Sequence, residues 1–197
     1  MRITVDRTDF RNAVKALAPA MSDAKAPNRA CISFKTIDDG KTLELVATCG
    51  AWLARWRIET IAGDTRDDQC LLPALDVPRV QSWLRGMPKG GAIEIDFAGV
   101  LLANCTETRF TPLAAEFPPY EQLIAMVEPE PEVPAPRTVA LSGAYLNVIS
   151  KAFALAGCAP VMRFGGELGA VWIHGGGSGW CPLVAVLMPV TQKARTE

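Results

Sequence analysis

One arrangement recurs three times and limits what this chain can fold into. Residues 71–86, LLPALDVPRVQSWLRG, read as a strand end, a polar break and a short amphipathic helix. The same order appears in residues 3–17, ITVDRTDFRNAVKAL, and 139–153, VALSGAYLNVISKAF. Phe10, Ala13 and Leu17 align with Val77, Val80 and Leu84, then with Leu146, Ile149 and Phe153. Each set keeps the i, i+3, i+7 spacing of one helix face. The copies start about 67 to 69 residues apart, so the chain reads as one unit used three times.

Three short strands follow each helix. In the first copy they fall at 31–37, 42–48 and 51–60, in the second at 92–97, 100–105 and 108–113, and in the third at 161–164, 170–174 and 183–188. Alternation such as Ile93, Ile95 and Phe97 against Glu94 and Asp96 marks a sheet with one covered face. The architecture predicted is therefore α+β, a β-α-β-β-β unit repeated three times, with the third copy's first strand at 138–141. Asp6 or Thr8, Asp76 and Ser142 are the expected helix caps. Residues 125–137, AMVEPEPEVPAPR, alternate Glu with Pro and read as an extended linker. It separates a two-unit domain over 1–124 from a half-domain over 138–197. The half-domain's strands need neighbours, either from the first domain or from another chain, and oligomerisation is the expectation.

Nearly half the residues, 49%, are hydrophobic, which is enough to fill a core. The N-terminus has no apolar signal core, and no apolar run approaches a membrane span. A soluble cytoplasmic protein with no membrane partner is expected. None of the six cysteines forms a CxxC pair and His174 is the single histidine, so neither a disulfide framework nor a metal site is expected. The Gly-rich run 175–179 lacks the Gly-Lys-Ser/Thr ending of a phosphate-binding loop, and no cofactor is expected. No nucleophile with a paired base stands out, which argues against an enzyme.

With a net charge of −1, bulk charge gives no argument for nucleic acid, but its arrangement matters more. Arg7, Arg11 and Lys15 fall one turn apart, opposite the first helix's apolar stripe. Arg79, Arg85 and Lys89 accompany the second helix and Lys151 the third. Such a lining suits phosphate contact without sequence readout; it equally suits an ordinary solvated face.

Four stretches, in order, resemble the bacterial DNA polymerase III beta subunit, the sliding clamp. The opening 3–17 resembles a clamp domain's first strand and helix. LELVATCGAWLA, 43–54, resembles the strand–turn motif L-x-x-x-A-T-D-G-x-R-L-A. RFTPLAAEFPPYEQLI, 109–124, resembles the F-P-x-Y end of a clamp domain. Residues 139–153 through AVLMPV, 185–190, resemble the second half of the last domain. The resemblance implies a DNA clamp-like fold with no catalytic step. It also implies a peptide pocket at Thr48, Gly50, Leu53, Pro118, Gln122, Leu123, Val186, Met188, Pro189 and Val190, and a DNA-facing set of Arg7, Arg11, Lys15, Arg79, Arg85, Lys89 and Lys151. Its partners would be duplex DNA, held by the backbone, and replication or repair proteins carrying clamp-binding peptides.

Three departures stand out. Cys49 replaces the motif's aspartate, Trp52 its basic residue, and Gln122 a basic residue after F-P-x-Y. Trp52 and Trp56 suit either a protein contact or the core. A clamp of this family is expected to have six units per chain and twelve per ring. Three units per chain make a tetrameric ring the simplest arithmetic. The alternative is a clamp-derived interaction module that binds clamp-type peptides, or a clamp, without encircling DNA.

Overall fold

A computed structural model describes residues 1–21, 26, 28–127, 140–164, 169–176 and 180–189. The first unit comprises strand β1 (Arg2–Asp6), helix α1 (Arg7–Leu17) and strands β2 (Cys31–Ile37), β3 (Thr42–Thr48) and β4 (Trp52–Gly63). The second comprises β5 (Gln69–Pro73), α2 (Val77–Arg85), β6 (Ala92–Asp96), β7 (Val100–Ala103) and β8 (Thr106–Arg109). After helix α3 (Tyr120–Val127), the third comprises α4 (Gly143–Leu155), β9 (Ala159–Phe164), β10 (Val171–Gly176) and β11 (Leu183–Leu187).

The aligned apolar positions do what the periodicity requires. Phe10, Ala13, Leu17, Val77, Val80, Leu84, Ile149 and Phe153 are buried, and Leu146 is half-buried at the edge of the same core. Asp6 caps α1, its Oδ1 accepting from the N–H groups of Thr8 at 2.7 Å and Asp9 at 3.0 Å. The other two expected caps do not form. Asp76 and Ser142 make no side-chain capping bond, and Asp76 instead accepts from Arg79 at 2.8 Å.

The first two units exchange their opening strands. β5 pairs with β2, while β1 pairs with β6 and with the far end of β4. Each unit thus supplies the edge cover of the other, and the order β5-β2-β3-β4-β1-β6-β7-β8 is continuous. The third unit has no such companion. Ala140 and Leu141, expected at the end of a strand, lie in none, and positions 138 and 139 fall outside the described residues. Their counterparts β1 and β5 are each held by the other unit's second strand, β6 and β2; among the described residues the third unit has no second companion to supply one, and its own second strand, β9, pairs with β10 alone.

The third unit joins the first through last strands. β11 runs antiparallel to β4, from Leu183↔Trp56 to Leu187↔Trp52, and the Met188 N–H donates to the Ala51 carbonyl at 3.0 Å. The neighbours its strands require therefore come from the same chain. Helices α1, α2 and α4 lie on one face of the sheet, with α1 between the other two. Phe10 meets Phe34 edge-on at 5.6 Å, and Phe34 meets Phe110 at 6.2 Å. Trp52 and Trp56 belong to this core, 2% and 1% exposed, so neither is available as a surface anchor. The pleat explains it: 52, 54, 56 and 58 point to the helices, and 53 points away.

Helix α3 was not expected. It takes in Ala125–Val127, the start of the expected linker; 128–137 fall outside the described residues. All six cysteines are free thiols. Among the described residues, no helix is long and apolar enough to cross a membrane.

Candidate functional site

The face of the sheet opposite α1, α2 and α4 carries a second apolar cluster. Directly paired residues in an antiparallel sheet share a face. Thr48, Leu53, Val186 and Trp172 pair in succession across β3, β4, β11 and β10, and so form one row. Leu53, Val186 and Trp172 are buried in it, with Met188 and Leu123 packed alongside, half-buried. Phe117, Tyr120 and Ile124 lay α3 over Cys31, Val46 and Leu71 at the neighbouring end of this face. The row therefore runs along the flank of α3.

A buried charge network holds α3 there. Glu44, 2% exposed, accepts from Tyr120 Oη at 2.5 Å and Arg57 Nε at 2.8 Å, with Arg55 Nε at 3.7 Å. Burial, then the bond to Glu44, holds the Tyr120 phenol far above its usual range. At the surface Lys35 pairs with Glu121 at 2.8 Å.

Of the expected peptide-binding residues, Leu53, Leu123, Val186 and Met188 come together in this cluster. The Thr48 hydroxyl fixes the adjacent turn, donating to the Trp52 carbonyl at 2.9 Å and accepting from the Gly50 N–H at 3.1 Å. Gly50 is exposed with φ +89°, and a β-carbon there would stand 2.9 Å from the Arg29 guanidinium. Pro118 and Pro189 are half-buried, Gln122 is exposed on α3, and Val190 lies outside the described residues. Trp172 was missed. The sequence signal is the unbroken apolar run at 170–173, which marks a strand covered on both faces without saying which residue joins the row.

The basic residues divide. Between α1 and α2 lies a cleft of about 330 Å³ lined by Arg11, Lys15, Gln81, Leu84 and Arg85. Lys15, Arg85, Lys89 and Lys151 are exposed. Arg7 is a correction: it is 3% exposed, and its guanidinium donates to the Gly90 carbonyl and to Met87 Sδ at 3.7 Å. The loop after α2 covers the face that helical spacing left open. Arg11 donates to the carbonyls of Leu84 at 2.6 Å and Met87 at 3.1 Å, closing the C-terminal end of α2. Arg79 is ion-paired with Asp76 and donates to the Arg109 carbonyl.

His174 is half-buried, its Nδ1 2.9 Å from the Gly175 carbonyl. Among the described residues, no cluster of His, Cys, Asp and Glu could hold a metal ion.

The fold is that of bacterial sliding clamps. The chain is similar to the DNA polymerase sliding clamp of Bacillus subtilis, with TM-score 0.74 and 12% identity over 98% of this chain and 65% of that one. It is similar to the DNA polymerase III beta subunit of Thermotoga maritima, with TM-score 0.71 and 15% identity over 96% of this chain and 65% of that one. The beta subunit from Pseudomonas aeruginosa gives TM-score 0.74 and 12% identity over 96% and 66%. The chain thus spans about two thirds of the length of these clamps. No protein-family model matches the sequence, and no curated protein matches it.

Proposed function

We propose that this chain, built on the sliding-clamp fold, is a DNA sliding clamp-like processivity factor. It tethers polymerase or repair proteins to duplex DNA, with no catalytic step, as a homo-oligomer for which a tetrameric ring is the simplest form. The observation that carries this reading is the division of labour between two faces. The helix layer presents Lys15, Arg85, Lys89 and Lys151, with Arg11 in the cleft between α1 and α2. The opposite face holds the row Leu53, Val186 and Trp172 beside Met188 and Leu123. An apolar row flanked by a helix suits short peptides with apolar anchors. A few exposed cations suit phosphate contact loose enough to slide.

A second reading, a clamp-derived module that binds peptides without encircling DNA, draws support from Arg7 and Arg79. Both are engaged within the fold, which thins the basic lining.

One experiment separates the two. A ring is expected to be retained on closed-circular duplex and to run off linear duplex. Lys15→Glu with Arg85→Glu is expected to lower retention at least about tenfold and to reduce the salt slope by roughly two. Leu123→Glu with Met188→Glu is expected to abolish binding of an apolar clamp-type peptide and leave DNA retention intact. Equal retention on circular and linear DNA, or retention indifferent to charge reversal, would overturn the clamp reading.

A further inference from the structure

Two cysteines that no sequence spacing pairs meet in the third unit. Cys158 lies between α4 and β9, and Cys181 lies just before β11. Each of those strands runs antiparallel to β10, so they run parallel to one another with β10 between them. Strands on either side of a third are about 10 Å apart, too far for a disulfide. Here the gap closes at Gly175, which sits opposite Pro160 on β9. A β-carbon at Gly175 would stand 2.2 Å from Cys181 Cβ, 2.5 Å from Cys181 Sγ and 3.1 Å from Cys158 Cβ. The φ angle of Gly175 lies outside the left-handed region, so its backbone does not demand glycine; the two cysteines do.

The two cysteine β-carbons are no further apart than the first and last of these distances laid end to end. That is close to the roughly 3.5 to 4.5 Å that a disulfide spans. The sulfurs are in contact as well. Burial first, then a hydrogen bond with Cys158, pushes the Cys181 thiol up to about 11. Each thiol also reaches one carbonyl, Cys158 Sγ that of Ala156 at 3.4 Å and Cys181 Sγ that of Leu183 at 3.6 Å. Thiols are weak donors, so neither contact holds the pair apart. Both residues are free thiols, half-buried at the edge of the helix-side core.

The position gives a link something to hold. β9 pairs with β10 alone among the described residues, whereas β11 is held by β4 on its other side. A bond between Cys158 and Cys181 ties the leading end of β9 to that anchored strand and closes a loop of about two dozen residues. The Cys158 N–H donates to the Phe153 carbonyl at 3.1 Å, which brings the end of α4 to the same point.

We propose that Cys158 and Cys181 form a dithiol modification site, which a small-molecule disulfide such as glutathione disulfide converts to an intrachain disulfide clasping β9 to β11 across Gly175. Cys181 keeps its proton, so the Cys158 sulfur attacks first and releases one glutathione thiol, leaving glutathione bonded to Cys158. The Cys181 sulfur then attacks Cys158 and releases the second. Two protein thiols are oxidised to one disulfide, and one glutathione disulfide is reduced to two thiols, which carry off both protons. The proposal stands apart from the DNA and peptide readings and can fail without them.

The test uses the full chain carrying Cys49→Ser and Cys105→Ser, which removes one half-buried and one exposed thiol. It is equilibrated at mildly alkaline pH with glutathione disulfide and an excess of reduced glutathione, then alkylated and digested. Mass spectrometry is expected to find the peptides holding residues 158 and 181 joined, in at least about tenfold higher fraction than in the same buffer with urea. Adding Cys181→Ser is expected to stop the reaction with glutathione on Cys158. Amide exchange in β9 is expected to slow at least about tenfold in the linked chain and to recover with dithiothreitol. A folded chain that forms no such link, a link no more abundant than in urea, a Cys181→Ser chain that takes up no glutathione at Cys158, or β9 exchange unchanged by the link would each overturn the proposal.

Discussion

Glu44→Ala is expected to destabilise the protein by about 3 kcal/mol or more and to loosen α3. The reason is what the carboxylate leaves behind. Arg57 is 40% exposed at its side chain and can turn to water, but the Tyr120 hydroxyl is buried and cannot. Removing one partner of a buried pair strands the other, which costs more than the pair itself contributes. Glu44→Gln, which still accepts from Tyr120, is expected to cost about half as much. Tyr120→Phe, which removes one donor from a carboxylate that keeps its arginine, is expected to cost about 1 to 2 kcal/mol. Urea unfolding at neutral pH measures all three, and hydrogen exchange of residues 120–125 reports the release of α3. Because Leu123 lines the apolar row, the alanine variant is also expected to bind peptide more weakly. A loss below about 1 kcal/mol for Glu44→Ala would mean that the network does not hold the helix.

Periodicity made the helices legible, because it is local. Phe10, Ala13 and Leu17 announce a buried stripe whatever covers them, and so do Val77, Val80 and Leu84. Pairing is not local. Nothing in residues 2–6 says that β1 will lie beside β6 rather than β2; the exchange is decided by which edges the other unit leaves open. Position 141 shows the same rule from the other side, since a strand-like sequence forms no strand where no edge awaits it.

Arg7 and Arg11 failed as outward residues for a related reason. A wheel with one apolar stripe assumes solvent on the far side, yet α1 lies between two helices and under the loop that follows α2. Lys15, a turn further on, remains free of that loop and exposed. Helix α3 is hidden by the two prolines that precede it, Pro118 and Pro119. It forms because Phe117, Tyr120 and Ile124 find an apolar face made by residues 31, 46 and 71, which no short window contains. For the apolar row, the motif resemblance pointed to Leu53 and Val186, but Trp172 joins them through the pairing of β10 with β11, and register is not written in either strand alone.

Above pH 9 the protein is expected to lose stability steeply, more so than on the acid side of neutrality. Burial pushes the Cys70 thiol up to about 12 and the Cys31 thiol to about 11, against an ordinary 9.0. Tyr120 is displaced in the same direction, by burial first and then by its bond to Glu44. In each case the folded chain keeps a proton that the unfolded chain has released. The stabilisation is therefore complete below the unfolded pKa and is lost as pH rises through the folded one. At 1.36 kcal/mol per unit, Cys70 accounts for about 4 kcal/mol by pH 12 and Cys31 for about 3. Both are core residues, Cys70 beneath the helices and Cys31 under α3, so their ionisation opposes both clusters at once. The acid side has smaller and opposed contributions. Asp96 is held low by the Ala98 N–H and by Arg2, yet its surroundings are largely solvent, while Asp9 is raised by burial and by Asp6. Urea midpoints measured from pH 7 to 11 test this, with Cys31→Ala and Cys70→Ala combined as the second arm. The double variant is expected to be less stable at pH 7, because two buried sulfurs are gone, but to show a shallower alkaline limb. A wild-type midpoint flat to pH 11, or a limb of unchanged slope in the double variant, would show that these thiols do not govern alkaline unfolding.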